Sequence, residues 1–370
     1  MRAGLWSGAG LLALALALAV AVAALIGTRI TAPEWLRERI AARVERGIDG
    51  MSIGFGELSF VLGDDWVPKL ALQRVVIRDA TGTPVARLSD LRGSLALGPL
   101  LRGELRPGRI SLSGARVTLR RAIDGVVGLS VGETPGTVEE AETVAALIGQ
   151  ADAFFQRPEF AALESVLADN LTLRFEDARV GKAWTVDGGR IAIRRDGNDL
   201  EIRSDFALLG ARDYATTLAM SYASRIGEMA ADFTIDFEDM PAGDIAGQSP
   251  ALTWLAALDA PISGSIRAGI DGAGRLGPLR AELEIGAGAL HPTPGAVPVV
   301  FDRAGSRFTY EPADHLIRFH ALEVESKWIT ARIEGRARLA GMEDGWPDAL
   351  ISQFRWARSR PTRCSFTLLR

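Results

Sequence analysis

From Met51 onward the chain alternates between apolar and polar positions. Leu200, Ile202, Phe206 and Leu208 fall on one parity, as do Met229, Ala231, Phe233, Ile235 and Phe237. Leu279, Ala281, Leu283 and Ile285 repeat the pattern, and so do Ile329, Ala331 and Ile333. Between them stand Glu201, Arg203, Asp205, Asp232, Asp236, Arg280, Glu282, Glu284, Arg332 and Glu334. Successive side chains of a strand point to opposite faces, so each run carries one apolar and one charged face. That is antiparallel sheet wetted on one side; parallel sheet covered on both sides reads instead as continuous apolar runs. Asp-Gly pairs at Asp124, Asp187, Asp196 and Asp271 fall between such runs and predict hairpins, because a type I′ turn needs two residues at positive φ.

Helical signals are few. They comprise a short Gly98-Pro99-Leu100-Leu101 element, a region over 137–168 that Pro158 splits, and a stretch from Pro241 to Leu258 that Pro250 divides. These cannot cover a dozen or more strands. A continuous apolar face then needs a second sheet, a fold-over of the same sheet, or a bound apolar ligand, since uncovered patches beyond a few hundred Å² are rare on soluble monomers. The segment Val131 to Thr143, with Pro135, Gly136 and four glutamates, reads as a linker between a smaller amino-terminal β region and a larger carboxy-terminal one.

The amino terminus follows another pattern. No side chain ionises between Ala3 and Thr28, and Leu11 to Ile26 is built of Leu, Ala, Val and Ile. Its Leu/Ala alternation imitates a strand, but a lone strand leaves its backbone unsatisfied in lipid, so the segment is read as a membrane-spanning helix. A cleavable signal ending near Ala21-Val22-Ala23 is the rival reading. Both export the body. Against export, Arg29, Arg37, Arg39, Arg43 and Arg46 follow the span while Arg2 alone precedes it, and a positive-inside count puts the body in the cytoplasm. Thr31-Ala32-Pro33-Glu34 has capping-box spacing, and Leu36, Ile40, Val44 and Ile48 recur every four residues. This amphipathic helix either plugs the end of a sheet or lies in the membrane interface with Trp35.

Composition narrows the chemistry. In 370 residues, 48% hydrophobic content excludes an intrinsically disordered chain. A net charge of -4 from 42 basic and 46 acidic residues removes the basic excess that nucleic acid requires, so no nucleic-acid partner is expected. Cys364 is the only cysteine, which excludes an internal disulfide and any multi-thiolate metal site.

Chemical motifs have simpler readings. Gly272-Ala273-Gly274-Arg275-Leu276-Gly277 fits G-x-G-x-x-G, but Pro278 and an alternating strand follow where a dinucleotide site needs a helix, so it is read as a glycine-rich hairpin turn. Gly128-Leu129-Ser130-Val131-Gly132 matches a hydrolase nucleophile elbow without the helix and parallel sheet the elbow requires, and is read as a strand end. His315 and His320 are read as surface or rim residues on opposite strand faces. Asp64-Asp65, Glu139-Glu140 and the trio Asp236, Glu238 and Asp239 are read as solvated carboxylates. No catalytic residue, cofactor or metal is expected, and the chain is read as a non-enzyme.

The span, the amphipathic helix, Leu95-Ala96-Leu97-Gly98-Pro99-Leu100-Leu101-Arg102-Gly103, and the run Ile110-Ser111-Leu112-Ser113-Gly114-Ala115-Arg116-Val117-Thr118-Leu119-Arg120-Arg121 before Asp124-Gly125 together resemble the AsmA-like family of Gram-negative envelope proteins, whose relatives include the TamB-like proteins. The resemblance is firmest over residues 1–130. It implies a mainly β fold: a long curved antiparallel sheet folded into an apolar groove (a β-taco), behind a transmembrane helix and an amphipathic helix. It also implies a single-pass protein of the bacterial inner membrane, with a cytoplasmic amino terminus and a periplasmic bulk. The groove would shield phospholipid acyl chains during transport towards the outer membrane.

On that reading the groove candidates are Phe206, Leu208, Phe233, Ile235, Phe237, Leu283 and Ile285. The expected partners are phospholipid, the inner membrane and other envelope proteins. The expected organisation is an anchor over 1–30, the amphipathic helix and a β region over 31–130, a linker and helical insertion over 131–168, extended antiparallel β over 169–340, and an atypical tail over 341–370. The tail has no acidic residue after Ala349 and no terminal cap, and reads as truncated or frameshifted. Two alternatives stay open: a closed β-sandwich or barrel, and a non-enzymatic periplasmic scaffold that regulates outer-membrane assembly without touching lipid.

Overall fold

The computed structural model describes residues 29–31, 34, 52–62, 67–78, 84–104, 106–123, 127–131, 153, 155–178, 181–209, 215–246, 250–291, 296–328, 330–340 and 349–360. The membrane span, the amphipathic helix apart from Glu34, the Asp124-Gly125 turn, the linker beyond Val131 and the tail beyond Arg360 with Cys364 lie outside these residues. The protein is mainly β, with 70% strand against 10% helix, so sheet has to supply most of its own cover. The chain divides into two compact units.

The amino-terminal unit contains β1 (Arg29–Thr31), β2 (Ser52–Gly54), β3 (Glu57–Leu62), β4 (Pro68–Arg78), β5 (Pro84–Leu95), the helix α1 (Leu97–Leu101) and β6 (Pro107–Ser113). The sheet begins within the stretch expected as anchor, since β1 pairs antiparallel with β3, Arg29 opposite Val61. β3, β4, β5 and β6 are successive antiparallel neighbours. Their register lines up Leu58, Leu72, Leu91 and Leu112, and Leu58 and Leu72 are fully enclosed. α1 ends where the Gly103 amide, at φ +78, donates to the Leu100 carbonyl, a conformation that favours glycine.

Two further strands, β7 (Arg116–Arg121) and β8 (Val127–Val131), lead towards β9 (Ser165–Asp177). Ser130 thus lies within a strand, as its reading requires. Pro158 opens a 3₁₀ turn over Pro158–Phe160, where its missing amide costs nothing. β9 then pairs with β6 in parallel, Arg109 opposite Ser165 through Ser113 opposite Asp169. This departs from the purely antiparallel expectation. Period-two alternation fixes which face a residue takes, not the direction of its neighbour, and the long connection from β6 permits the parallel return.

The carboxy-terminal unit is a meander. It takes up β10 (Lys182–Asp196), β11 (Asp199–Leu209), β12 (Ala215–Arg225), β13 (Ala231–Pro241), the helix α2 (Ala242–Ala246), a 3₁₀ segment (Pro250–Ala257), β14 (Leu258–Asp259) and β15 (Pro261–Ile270). It continues through β16 (Leu279–Ile285), β17 (Gly288–Leu290), β18 (Val299–Phe301), β19 (Arg303–Glu311), β20 (Leu316–Glu325), β21 (Thr330–Ala340) and β22 (Ala349–Arg360). β10, β11, β12, β13, β15, β16, β19, β20, β21 and β22 pair antiparallel in that order. β14, β17 and β18 form a small separate sheet. Residues 349–360 of the expected tail are therefore a strand in register with β21, Ala349 opposite Ala340.

None of the three described Asp-Gly signals forms the expected type I′ turn; at Asp271-Gly272 neither residue has positive φ, and a longer loop joins β15 to β16. At Asp196-Gly197 the chain does turn between β10 and β11, but only Gly197 has positive φ (+60), so the pair does not form a type I′ turn. Asp187-Gly188 sits inside β10, where Gly188 (φ +72) accompanies a register shift between Val186 and Arg190. A glycine that permits positive φ serves a bulge as well as a turn, and the flanking sequence is strand in both cases.

One polar contact is enclosed. Arg121 Nη1 donates to Asp177 Oδ2 at 3.2 Å, with side-chain exposures of 8% and 0%. The neighbouring Ala178 amide donates to the Arg121 carbonyl at 2.9 Å, so backbone and side chain fix the same pair. Removing one member of a buried ion pair strands the other charge out of water. Asp177→Asn is therefore expected to destabilise the unit by about 3–5 kcal/mol in urea unfolding. Disruption of the exposed Arg225–Asp199 pair should leave the urea midpoint close to that of the unaltered chain.

Candidate functional site

Register gathers the apolar residues of the carboxy-terminal meander into rows. Phe206, Leu218, Phe237, Gly264, Leu283, Ser306, Leu322 and Ile333 are cross-strand partners in sequence from β11 to β21. The next row holds Ser204, Met220, Ile235, Ile266, Ala281, Phe308, Phe319 and Gly335. Both rows share one face, because residues directly opposite in an antiparallel ladder project to the same side. The opposite face carries Asp236, Glu238, Glu282, Glu284, Arg332 and Glu334, as the alternation requires.

A helical cap sits on one end of the apolar face. Ala242 and Ala246 of α2 and Leu255 of the 3₁₀ segment are buried in one cluster with Phe237 and Ile262. Ile235, Met240, Ile266, Leu283 and Ile285 pack against that cluster. A bulge helps place Met240, since the β13–β15 register shifts between Phe237 and Met240, with Asp239 at φ +54. The cap is tied laterally to the sheet: Trp184 on β10 donates from Nε1 to Asp244 Oδ2 at 3.2 Å and stacks on Phe175 at 5.5 Å. Gly264 leaves room for the arrangement, because a Cβ there would lie 2.5 Å from the Glu282 carbonyl and 2.7 Å from Leu283 Cδ2.

The sheet curls over this cap. Six strand-to-strand steps separate β13 from β22, about 29 Å if the sheet were flat. Yet the 3₁₀ segment, roughly 16 Å long, packs on β13 through Leu255 and Phe237 and also neighbours β22. The side that carries Phe237, Ile262 and Leu283 is the concave one. Within the described residues β22 does not pair with β10, so the unit is not closed into a barrel.

The seven residues singled out from sequence all lie on this face, but in different surroundings. Phe237 is enclosed at 7% exposure, and Ile235, Leu283 and Ile285 are half-buried beside the cap. Phe233 packs with Tyr222 on Ala231 and Ile270. The Phe206 ring lies against Gly189, where a Cβ would stand 2.8 Å from Phe206 Cδ1, and Leu208 is half-buried opposite Val186 and Thr216. The sequence reading passed over Met220, which is 40% exposed, and the Phe308–Phe319 pair at 5.6 Å. β12 reads ATTLAMSYASR, whose Ala, Ser and Thr residues blur the alternation around Leu218, Met220 and Tyr222.

Other candidate chemistry disperses. His320 Nε2 lies 2.9 Å from Thr309 Oγ1, whereas His315 occupies a turn at φ +51, 3.3 Å from the Tyr310 hydroxyl. Asp236 and Glu238 are exposed on β13, while Asp64-Asp65 and Glu139-Glu140 lie outside the described residues. A recess of about 550 Å³ beside β19–β21 is lined by Arg303 and Arg332, but these already meet Glu325 at 2.7 Å and Glu323 at 2.9 Å. Among the described residues no group of three His, Cys, Asp or Glu side chains is placed to hold a metal ion, and no helix is long and apolar enough to cross a membrane.

The glycine-rich motif is a loop between antiparallel β15 and β16, as read. Asp271 organises it: Oδ1 accepts from the Ala273 and Arg275 amides at 2.9 and 3.0 Å, and Oδ2 accepts from Arg275 Nε at 3.0 Å. The hydrogen bonds from the Arg275 amide and guanidinium, in that order, hold the Asp271 carboxyl below its ordinary range. No family model matches the chain, and no curated protein is similar to it.

Two outcomes follow from this geometry. Phe237→Ala removes a ring from beneath the cap and is expected to cost about 3–5 kcal/mol in urea unfolding, whereas Met220→Ala on the same face should cost under about 1 kcal/mol. Because the folded Asp271 carboxyl titrates below its unfolded value, its contribution is complete above the ordinary carboxylate range and disappears as pH falls through the depressed value. A carboxyl NMR titration of Asp271 should locate that lower midpoint, and Arg275→Ala should move it upward.

Proposed function

We propose that the protein is a non-enzymatic carrier of phospholipid acyl chains, similar in kind to the AsmA-like proteins, with the concave apolar face of its carboxy-terminal unit as the groove. One observation carries this reading. The apolar rows run across eight strands from β11 to β21, while the cap packs on only part of them. Phe206, Leu208 and Phe233, with Met220, Phe308 and Phe319, form the part of the face that acyl chains would meet.

The energetics suit a conduit. Transfer of a methylene group from water to an apolar surface gains ~0.8 kcal/mol, so one acyl chain is held against water by roughly ten kcal/mol. Movement along the rows exchanges one apolar neighbour for another and changes little of that energy. The charged outer face keeps such a body in water while its inner face carries the lipid. The capped residues Ile235, Phe237, Leu283 and Ile285 then form the floor under α2 and the 3₁₀ segment rather than the path itself. In this reading the span before Arg29 anchors the chain in the bacterial inner membrane, with the amino terminus in the cytoplasm and the units in the periplasm. Phospholipid and envelope proteins are its partners.

The full chain, extracted gently, is expected to retain phospholipid at a fixed ratio in native mass spectrometry. Met220→Asp should keep the fold and lose that lipid, because the site is exposed in the described structure. Repeated lipid-free preparations with intact sheet signal by circular dichroism would sink the proposal, and a stoichiometric protein partner in their place would favour the scaffold. A reporter that works only in the periplasm, fused after Ala340, is expected to be active; activity from a cytoplasmic reporter alone would overturn the topology.

A further inference from the structure

The two rims of the carboxy-terminal meander differ in character. At one rim the turns are ionic. Arg225 at the end of β12 meets Asp199 at 3.0 Å and Glu228 at 3.8 Å, Arg275 meets Asp271 in the glycine-rich loop, and Asp314 stands exposed in the turn Pro312–Asp314 between β19 and β20. At the other rim the connections expose large apolar side chains. Leu209 ends β11, Trp328 tops the turn from β20 to β21, and the hairpin of β17 and β18 carries Leu290, Val297, Val299 and Val300, all of them exposed. Register puts these connections beyond the same end of the row that runs from Phe206 to Ile333.

The β17–β18 hairpin departs from the pattern of the strands around it. From Gly286 to Phe301 no residue is Asp, Glu, Lys or Arg, in a chain with 24% of them. Consecutive Val299 and Val300 point to opposite faces and are 55% and 68% exposed, and Val297 before them is 86% exposed. Both faces of the tip are therefore apolar and bare, whereas β13, β16 and β21 each keep one charged face. The root of the hairpin is fixed. Leu258, Leu290 and Val299 are cross-strand partners, Phe301 is buried, and the His291 amide donates to the Ala257 carbonyl at 2.7 Å. Gly288 lets β17 close on β14, because a Cβ there would stand 2.6 Å from the Ala260 Cβ. Leu258 in turn packs on the cluster of Phe237 and Ile262, so the exposed tip is continuous with the capped part of the apolar face.

A specific protein interface buries ~1,000 Å² or more and covers one face of a hairpin, whereas these six side chains offer a few hundred Å² from separate turns. A lipid surface surrounds a short apolar tip on both faces at once and asks for no matching shape. An indole at the end of a turn suits the boundary between headgroups and acyl chains, and Lys327 beside it adds a cation for anionic headgroups. We propose that this rim of the carboxy-terminal unit docks on a lipid surface, with Val297, Val299 and Val300 entering the acyl region and Leu209 and Trp328 at the headgroup boundary. The inference rests on the carrier reading for its purpose, since docking brings the groove to the lipid it loads or delivers.

The full chain with Cys364→Ser carries an environment-sensitive fluorophore at Val297→Cys and is reconstituted in vesicles of phosphatidylethanolamine and phosphatidylglycerol. Nitroxide-bearing phosphatidylcholine is placed either in those vesicles or in added vesicles of the same composition. Blue-shifted emission and at least about twofold quenching are expected in one of the two arrangements, with little quenching of a label at the exposed Ala313→Cys on the opposite rim. Val299→Asp/Val300→Asp, at two exposed positions, should keep the circular dichroism of the unaltered chain and lose the quenching. No quenching in either arrangement, equal quenching of the two labels, or quenching that survives the double substitution overturns the proposal. A shielded label that nitroxide lipid does not reach, with dimers after cross-linking, means that a second copy covers the tip and overturns it as well. Retained phospholipid without contact at Val297 leaves the carrier and removes the docking rim; contact by chains that retain no phospholipid does the reverse.

Discussion

A sheet with one apolar face has to find something apolar to lay it against, and the rest of this structure follows from how little helix is available to do so. α2 and the 3₁₀ segment together hold thirteen residues in two short pieces, against ten strands in the carboxy-terminal meander. The meander therefore bends its own apolar side inward, and β22 approaches the same segment that β13 packs on. Curvature here is a response to hydrophobic cover, and the normal right-handed twist of antiparallel strands supplies the direction in which to bend.

The cap and the bend depend on small residues as much as on large ones. Gly264 sits in the row between Phe237 and Leu283, and only a residue without a side chain lets both lie above it. Ser306 occupies the corresponding place between Leu283 and Leu322, buried at 7% with no hydrogen-bond partner for its hydroxyl. A buried hydroxyl left unpaired costs roughly 1–3 kcal/mol. Its presence in an otherwise apolar row shows that volume, not polarity, governs that position. On the same strand, burial pushes the Tyr310 phenol above its ordinary value.

Much of the strand content was legible because period-two alternation is enforced residue by residue: Phe233, Ile235 and Phe237 had to share a face once they lay in one strand. The short helical stretches at Leu97–Leu101, Ala242–Ala246 and Pro250–Ala257 were legible for the complementary reason, since Pro99 and Pro250 stand where strand pairing cannot. What alternation does not encode is partnership. Nothing in β9 announces that it returns parallel to β6, and nothing in Asp187-Gly188 separates a bulge from a turn. The division of the seven candidates into capped and uncapped depends on where α2 lands, which the buried cluster with Phe237 and Ile262 and an indole–carboxylate hydrogen bond between residues sixty apart in sequence fix together.

The meander's order has a consequence for how such a chain can change. From β10 to β22 each strand of the main sheet pairs with the strand before and after it in that order, and the excursions through α2 and through β17 and β18 leave and rejoin the sheet between neighbours. In its strand pairing such a structure is nearly one-dimensional, each strand bonded to the next. A hairpin can be inserted or deleted at a turn such as Gly197-Asn198 without rewiring any other pairing. Length then becomes a quantity that genetic duplication adjusts in steps of two strands, while the inner and outer faces keep their separate characters.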